Sequence, residues 1–239
     1  MIRIHTFDDL HPGILLRRYK RFLADVRLDD GRTVTAFTPN SGSMLTCSDP
    51  GSPVMLSYQG IPGRKTDYTL EMVRTEAVWV GVNTLLANEL GARIVSEGLT
   101  GKDGLEGFTV EGREYTYGDS RLDLVLTDGA SRCLAEVKNV TLRENDTARF
   151  PDARTARGKK HLLTLIDALS EGYLACMLYI VQRSDCSRFG PARDIDPDYA
   201  QAFDEAVEAG VKVLACSLEV GPSGIFYVDT LPLTVPSLP

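Results

Sequence analysis

The stretch that decides the fold runs from Ser120 to Lys138 and reads SRLDLVLTDGASRCLAEVK. Apolar residues dominate on both sides of the turn-like segment 127–131, and this pattern predicts two antiparallel strands joined by a tight turn. Asp123 lies on the first predicted strand, and Glu136 and Lys138 lie on the second. Ionisable groups within otherwise apolar strands are costly unless something binds to them. The stretch therefore predicts a β-hairpin that carries a functional site.

The period of the strands places the ionisable groups together. In an antiparallel hairpin the numbers of opposed residues have a constant sum, and side chains two apart share a face. A four-residue loop at Asp128–Ser131 pairs Asp123 with Glu136, whereas a two-residue Asp128-Gly129 turn pairs Asp123 with Leu134 and leaves Glu136 on the diagonal. In both registers the two carboxylates share a face, and Lys138 joins them because it follows Glu136 by two.

The two carboxylates predict a metal site. At about 4 to 5 Å and an effective dielectric near 20 they repel by about 4 kcal/mol. A hard divalent cation offsets this repulsion and leaves positions open for phosphate oxygens. We therefore predict that Mg²⁺ or Mn²⁺ binds Asp123, Glu136 and the Val137 carbonyl, with Lys138 holding a phosphate or orienting a water. The alternative is an ordinary cross-strand salt bridge from either acid to Lys138 or Arg121.

Composition describes an ordinary soluble chain. Its 239 residues are 43% hydrophobic and 25% charged, which is enough for one large or two small domains. No apolar run approaches the ~20 residues that span a bilayer, and the N-terminus lacks a secretory apolar region, so we expect a cytoplasmic protein with no membrane partner. The five cysteines form no Cys-x-x-Cys pair and are expected to be reduced, buried thiols.

The distribution of charge favours a nucleic-acid groove. The formal net charge of −7 argues against a protein that coats nucleic acid by charge alone. However, residues 17–21 carry four cations with aromatic neighbours, and residues 143–160 carry a second basic cluster. One basic groove on an acidic body would explain both, although each cluster could also be a solvated face. The predicted nucleic-acid contacts are Arg17, Arg18, Lys20, Arg21, Arg64, Lys65, Arg121, Arg157, Lys160 and His161.

The chain divides near residue 80. Closely spaced short strands with glycine-rich turns predict a small OB-like β-barrel over residues 1–80. Helical periodicity then begins after Asn83-Thr84, with Gly91 as the predicted stop. Residues 81–239 are predicted to form a second domain with the order helix, three strands, helix, strand, helix, strand, which is typical of a mixed α/β sheet.

Two helices and one strand of the second domain are well marked. A helix is predicted over about 155–171 with Gly172 as its terminator, and another opens at Asp196-Pro197 and ends at Gly210. Between them, Leu174–Val181 is a nearly continuous apolar run, which indicates a strand that is buried on both faces.

This order of elements, with an acid on the second strand and Glu-x-Lys on the third, resembles the core of the PD-(D/E)XK nuclease-like superfamily. Long stretches are also similar to the sugar fermentation stimulation protein A family. These stretches are 18–26, 39–44, 81–84 with Ala87-Asn88, 120–123, 136–142, 150–153, 157–162 and 195–197 with Tyr199-Ala200.

The resemblance implies a fold of the α+β or mixed α/β class, with an N-terminal OB-like barrel followed by a PD-(D/E)XK nuclease-like mixed sheet flanked by helices. It also implies sequence-nonspecific DNA binding and a regulatory role in sugar metabolism. The family's acids correspond to Asp123 and Glu136, and its lysine to Lys138. The alternative is a metal-dependent nuclease, a phosphodiesterase that cleaves DNA or RNA with these three residues as its catalytic group. The sequence leaves the oligomeric state open, a homodimer being one option.

Overall fold

The computed structural model describes residues 1–60, 63, 65–100 and 104–234. After the short strand β1 (Ile2–His5), five strands build a barrel. They are β2 (Leu10–Tyr19), β3 (Leu23–Leu28), β4 (Thr33–Phe37), β5 (Pro53–Tyr58) and β6 (Tyr68–Arg74). The barrel closes because β4 pairs antiparallel with β3 and parallel with β6. Alternating residues of these strands, such as Leu15, Val26 and Leu56, fill its interior.

The larger lobe is a mixed sheet with helices on both faces. Its elements are β7 (Trp79–Gly81), a 3₁₀ turn (Thr84–Leu86), α1 (Ala87–Ser96), β8 (Thr109–Tyr117), β9 (Ser120–Thr127), β10 (Arg132–Val140), β11 (Leu142–Glu144), β12 (Thr147–Phe150), α2 (Ala156–Ser170), β13 (Leu174–Val181), β14 (Arg188–Pro191), α3 (Pro197–Ala209), β15 (Lys212–Gly221) and β16 (Gly224–Leu231). The predicted fold class is confirmed.

The strand order makes the two lobes one continuous structure. The central strands β10, β13 and β15 run parallel, with β9 and then β8 on one side. Strand β7 pairs with both β6 of the barrel and β15 of the larger sheet, so that a single 13-stranded sheet passes through both lobes. Strands β11, β12 and β14 form a separate three-stranded sheet.

The helices cover the larger sheet as the sequence predicts. Helix α1 packs Leu90 and Ile94 against one face, and α2 and α3 pack Leu165 and Phe203 against the other. Every residue of β13 after Leu174 is buried, which confirms the predicted strand with both faces covered.

The helix ends also agree with prediction. The Thr155 hydroxyl accepts a hydrogen bond from the Gly158 amide at 3.0 Å, and the Asp196 carboxylate accepts one from the Tyr199 amide at 3.1 Å. Gly210, at φ +101°, ends α3 in the left-handed conformation that glycine adopts without strain.

The prediction that Gly91 stops the first helix is wrong. Gly91 lies within α1, which continues to Ser96. A β-carbon at position 91 would lie 3.3 Å from Cγ2 of Val137, which is closer than most real contacts. The absence of a side chain therefore lets α1 approach β10 closely, and it is this packing rather than a turn that uses the glycine.

The sequence did not predict β1, β16 or the three-stranded sheet. Strand β1 pairs antiparallel with β16, so the first residues of the chain hydrogen-bond to the larger sheet rather than to the barrel. All five cysteines are buried and free, as expected. Within the described residues, no helix is both long and apolar enough to cross a membrane.

The loop after β4 is fastened to the larger lobe by Asp152. The Asp152 carboxylate accepts a hydrogen bond from the Met44 amide at 3.1 Å, and its backbone carbonyl accepts one from the Ser43 hydroxyl at 2.8 Å. A β-carbon on Gly42 would lie 2.2 Å from the Asp152 carboxylate, so this approach requires glycine. These contacts fix one wall of the cleft between the lobes.

Candidate metal and nucleic-acid site

The β9–β10 hairpin has the four-residue loop. The last paired residues are Leu124 and Ala135, and continuing the same register by one residue places Asp123 opposite Glu136. The Asp128 carboxylate accepts hydrogen bonds from the amides of Ala130 at 2.9 Å and Ser131 at 2.7 Å, which is the self-bonded turn expected of aspartate. Local turn chemistry therefore sets the register that brings the two acids together.

Asp123 is half-buried and is held by two donors. The Asn88 side-chain amide donates to its Oδ1 at 2.7 Å, and the Val137 backbone amide donates to its Oδ2 at 2.9 Å. Asn88 lies in the first turn of α1, so the helix that Gly91 allows to approach β10 also orients the acid on β9.

Glu136 is almost completely buried, with 2% of its surface exposed. Its Oε1 contacts both Lys138 Nζ and His161 Nδ1. Arg157 Nε lies 3.4 Å from His161 Nε2, which fits a ring that accepts from Arg157 and donates to Glu136. The other carboxylate oxygen, Oε2, is buried and has no hydrogen-bond partner among the described residues. A charged oxygen in this state is costly and indicates an ion or a water at the site.

The pKa values of the two acids are shifted in opposite directions. Burial and the neighbouring charge of Glu136 raise the pKa of Asp123, against the hydrogen bonds from Val137 and Asn88 and the charge of Lys138. Burial would also raise the pKa of Glu136, but the hydrogen bond from His161 and the charge of Lys138 outweigh it and leave that pKa below its usual value. Glu136 is therefore a firmly ionised group, and Asp123 is ionised at a cost.

The residues fit a hard divalent cation. The site offers two carboxylates, one with an unpartnered oxygen, and half-buried Asp123 leaves access from solvent. Within the described ranges no group of three or more His, Cys, Asp or Glu side chains is arranged to hold a metal. A cation at Asp123 and Glu136 would thus complete its shell with backbone oxygens and water. Mg²⁺ and similar ions accept such shells, whereas zinc prefers three or four protein ligands.

The Val137 main chain contributes to the site through its amide. That N–H donates to Asp123, and the Val137 side chain is buried against α1. A ligand role for the Val137 carbonyl stays a prediction.

A cleft of about 370 Å³ lies between the lobes beside the acids. Its walls come from the 40–42 loop, the start of α1, the end of β10 and residues 149–155. Asn88 and Lys138, the direct partners of Asp123 and Glu136, both line it. The acid pair therefore lies immediately behind the cleft wall.

Two exposed cations face this cleft. Arg21 enters from the barrel and Arg154 from the larger lobe. Among the residues that the structure describes, neither forms an ion pair, so both side chains are available to a ligand. Arg149 also lines the cleft but is engaged by Glu144 and Asp194.

The predicted nucleic-acid-binding residues of the barrel differ in whether their side chains are already engaged within the protein. Arg17 pairs with Asp25 at 2.8 Å on the barrel surface. Arg18 donates to three loop carbonyls, those of Asn40, Gly42 and Ser43, and so holds the cleft wall in place. Lys20 and Arg21 are exposed at the tip of the β2–β3 hairpin. Lys65 is exposed, and Arg64 lies outside the described residues.

The predicted contacts on the larger lobe also divide. His161 and Arg157 lie beside the acid pair. Arg121 pairs with Glu114 at 2.6 Å, and Lys160 donates to the Asp119 carbonyl at 2.7 Å. The structure thus brings part of the predicted set to the site and engages the rest in surface contacts.

Sequence reasoning missed two residues of the site. Asn88 orients Asp123, and Asp152 fixes the cleft wall. Both lie in stretches that the family resemblance singled out, but neither contact can be read from local spacing, because each partner is 35 or more positions away along the chain.

The fold defines a two-lobed class of protein, in which an OB-type barrel is joined to a larger mixed α/β lobe. The family description "SfsA N-terminal OB domain" matches residues 16–82, and "Sugar fermentation stimulation protein RE domain" matches residues 85–224. The chain therefore belongs to the sugar fermentation stimulation protein family.

Relatives of similar length support this assignment. The sugar fermentation stimulation protein homologs of Brucella ovis and Brucella melitensis biotype 1 are each 47% identical over 227 residues, covering 94% of both chains. The structure of Pyrococcus furiosus SfsA in complex with Ca²⁺ superimposes with a TM-score of 0.90 at 30% identity, covering 98% of this chain and all of that one.

Proposed function

We propose that this protein binds nucleic acid, with DNA as the expected ligand, in the cleft between its lobes and without strong sequence preference. A divalent cation would be held at the inner end of the cleft by Asp123 and Glu136. The observation that carries the proposal is the buried Oε2 of Glu136 beside a second carboxylate, directly behind a cleft with two arginines. Within the described residues, neither this oxygen nor these arginines have a charged or hydrogen-bonding partner. The Ca²⁺ complex of the Pyrococcus furiosus relative supports the cation.

The electrostatics of the chain support binding through the phosphate backbone. Arg21 and Arg154 enter the cleft from opposite lobes, and Lys138 lines it beside Glu136. Phosphate contacts of this kind carry no sequence information, which agrees with binding that is independent of sequence. A regulatory role in sugar metabolism, which the family resemblance implies, would depend on this binding.

Neighbouring side chains hold the two acids in position for a phosphate bound in the cleft. The ring of His161 and the ammonium of Lys138 hold the Glu136 carboxylate, and Asn88 holds that of Asp123. When bound, a divalent cation supplies positive charge to phosphate oxygens and lowers the pKa of a bound water. Mg²⁺ and Mn²⁺ are the cations to test first, with Ca²⁺ as the comparison.

Charge reversal in the cleft tests the binding. We expect Arg21→Glu and Arg154→Glu each to weaken duplex DNA binding about tenfold at about 0.1 M salt, as the loss of one charge-assisted contact implies. Each should also make the dependence of log K on log salt less steep by about 0.9. Fluorescence anisotropy of a labelled 20-mer across a salt series measures both.

Arg32→Glu is the matched control. Arg32 is an exposed barrel arginine that pairs with Asp30 and does not line the cleft. Its reversal should leave affinity within about twofold. If all three variants behave alike, net charge rather than the cleft governs binding, and the proposed location is wrong.

The second candidate function is a metal-dependent nuclease. The specific observation in its favour is that Lys138 Nζ contacts Glu136 and also lines the cleft, where it could orient an attacking water at a bound phosphate. A protein that only binds gains nothing from two anions facing a phosphate backbone.

Lys138→Met separates the two functions. If the protein cleaves DNA or RNA in Mg²⁺ or Mn²⁺, we expect this variant to lower the rate by about 100-fold or more, because one proton-transfer or orienting group contributes that much. Gel assays of single-stranded and duplex substrates with each metal or EDTA measure it. Lys160→Met, which removes an exposed lysine bound to a backbone carbonyl, is the control. Absence of metal-dependent cleavage by the wild type on every substrate would leave the binding function alone.

A further inference from the structure

The tip of the β2–β3 hairpin has an unusual composition for its backbone. Tyr19 pairs with Leu23, so the loop consists of Lys20, Arg21 and Phe22 alone. Lys20 has φ +49° and Arg21 has φ +63°. Tight hairpin turns with positive φ normally use asparagine or glycine, and other residues there cost about 1 kcal/mol each. The hairpin therefore presents two long cations at a conformational cost, and such strain concentrates at functional positions.

An aromatic ring is exposed at the same tip. Phe22 keeps 42% of its surface in solvent. Its ring stacks on that of Phe37, with centroids 6.3 Å apart and an interplanar angle of 26°. Phe37 thus supports Phe22 in a fixed orientation without covering it. A supported, exposed phenyl ring beside two cations is an arrangement on which nucleic-acid bases stack.

A small pocket beside the tip fits a phosphate. It has a volume of about 260 Å³, and its lining includes Arg18, Arg21, Ser41 and Ser43. Arg18 donates to carbonyl oxygens, and its buried Nε has no partner in the part of the chain that the structure describes. Across residues 1–60, 63, 65–100 and 104–234, the positive charge of Arg18 therefore has no carboxylate in hydrogen-bond contact. Arg21 lines both this pocket and the main cleft, so the tip stands at the mouth of the cleft.

We infer that the Lys20–Phe22 tip is a stacking platform for an unpaired base, and that the preferred ligand is nucleic acid with single-stranded nucleotides at or beside the cleft. This inference rests on the proposed nucleic-acid binding and specifies its ligand class. The interior bases of a blunt duplex are stacked on both faces, so only its two terminal base pairs could offer a face to Phe22. A phenyl ring has no hydrogen-bonding group, so the platform accepts any base, in agreement with binding that ignores sequence.

The test compares three DNA ligands with Phe22 variants. The ligands are a single-stranded 20-mer, a blunt duplex, and the same duplex with a single-stranded extension that carries one 2-aminopurine. We expect Phe22→Ala to weaken binding of the single strand and the extended duplex by about 5- to 150-fold, the range for one lost base stack, and to leave the blunt duplex within about twofold. The 2-aminopurine fluorescence should be quenched by the wild type and not by Phe22→Ala.

Further variants separate stacking from folding and from general hydrophobicity. Phe22→Trp should retain the affinity and the quenching, whereas Phe22→Leu, which keeps an apolar side chain against Phe37, should lose both. Leu45→Ala removes a side chain that is 66% exposed elsewhere on the barrel loops and should change neither. Thermal unfolding of each variant confirms that it is folded.

The outcomes distinguish this inference from the function on which it rests. Wild-type protein that binds blunt duplex as tightly as the extended ligands, without quenching, would overturn the platform and leave DNA binding intact. Equal loss of all three ligands in Phe22→Ala would also overturn it. Wild-type protein that binds none of them would contradict the proposed function itself.

Discussion

Replacing Asp123 by asparagine is expected to stabilise the metal-free protein and to abolish its stabilisation by divalent cations. The pKa of Asp123 is raised by burial and by the charge of Glu136, so its ionisation opposes folding. Asparagine has the same shape. It can accept the Val137 amide hydrogen bond and donate to Asn88 after that side-chain amide turns over.

The expected gain is about 1 kcal/mol in the free energy of unfolding without metal, because neighbouring like charges repel by a few kcal/mol at an effective dielectric of ~20 and Lys138 offsets part of this repulsion. For a chain of this length, that gain raises the melting temperature by about 2–4 °C. With the wild type, a cation at 100 times its Kd adds about 2.7 kcal/mol, or about 5–10 °C, and Asp123→Asn should lose this increment. Calorimetry in EDTA and in MnCl₂ measures both effects.

Glu136→Gln should share the loss of metal response and show the opposite effect in EDTA. The pKa of Glu136 is lowered despite its burial, so its ionised form stabilises the fold through His161 and Lys138. Glutamine leaves the ammonium of Lys138 without its counter-charge. We expect a loss of about 2 kcal/mol, or about 4–8 °C, which is less than for a fully buried pair because Lys138 is partly exposed.

The dependence of stability on pH in EDTA follows from the raised pKa of Asp123 and the lowered pKa of Glu136. The stabilisation by Glu136 is fully present above the ordinary pKa of a glutamate and is lost as pH falls through its lowered pKa in the fold. The cost of ionising Asp123 begins as pH rises past the ordinary pKa of an aspartate and is complete above its raised pKa.

Glu208→Gln, an exposed acid on α3, is the control and should change neither the metal-free stability nor the metal response. If Asp123→Asn and Glu136→Gln keep the full increment in melting temperature with MnCl₂, the metal is not at this pair. If both variants are destabilised equally in EDTA, the opposite directions assigned to the pKa shifts of the two acids are wrong.

The second large effect is expected at Arg183, on the other side of the interface between the lobes. Only 2% of this residue is exposed. Its guanidinium forms a two-bond fork with Asp185 at 2.7 and 2.9 Å, and also donates to Thr46 of the barrel loop at 3.1 Å and to the Thr141 carbonyl at 2.7 Å. Arg183→Met should therefore lower the free energy of unfolding by about 3 kcal/mol, within the range for breaking a buried pair. Chemical denaturation measures the change.

Arg193→Met is a matched control, because Arg193 forms the same fork with Asp204 at 2.7 and 2.9 Å but has 45% of its side chain exposed. We expect a loss of at most about 1 kcal/mol there. Asp185 keeps Arg143 as a partner in Arg183→Met, which limits the cost. Equal losses in the two variants would show that burial at the interface does not strengthen the Arg183 contacts.

Local signals in the sequence were enough for the elements that surround the site. The turn-like segment 127–131 predicted the hairpin, although not which of two registers it adopts. The Asp196-Pro197 pair predicted one helix start, and the apolar run of β13 predicted a central strand. Gly91 shows where such signals fail. A glycine at the apparent end of a periodic segment looks like a stop, but here its small size serves the contact between α1 and β10, which depends on a strand far along the chain.

The same limit explains what was missed in the candidate site. The sequence predicted that Asp123, Glu136 and Lys138 lie together, because these residues are spaced by the period of a hairpin. It could not predict that Asn88 would orient Asp123, or that Arg18 would be used by loop carbonyls, because both contacts arise only when separate elements pack together. Strand β1 is too short to be distinguished, and its partner β16 lies at the opposite end of the chain.

Because one sheet passes from the barrel through β7 into the larger lobe, the two walls of the cleft share a hydrogen-bonded backbone, and Asp152 and Arg183 brace them from either side. A ligand would therefore enter a receptor whose width is set before it arrives. Little conformational entropy would be lost on association, and the encounter rate, rather than a closing motion, would govern how quickly the complex forms.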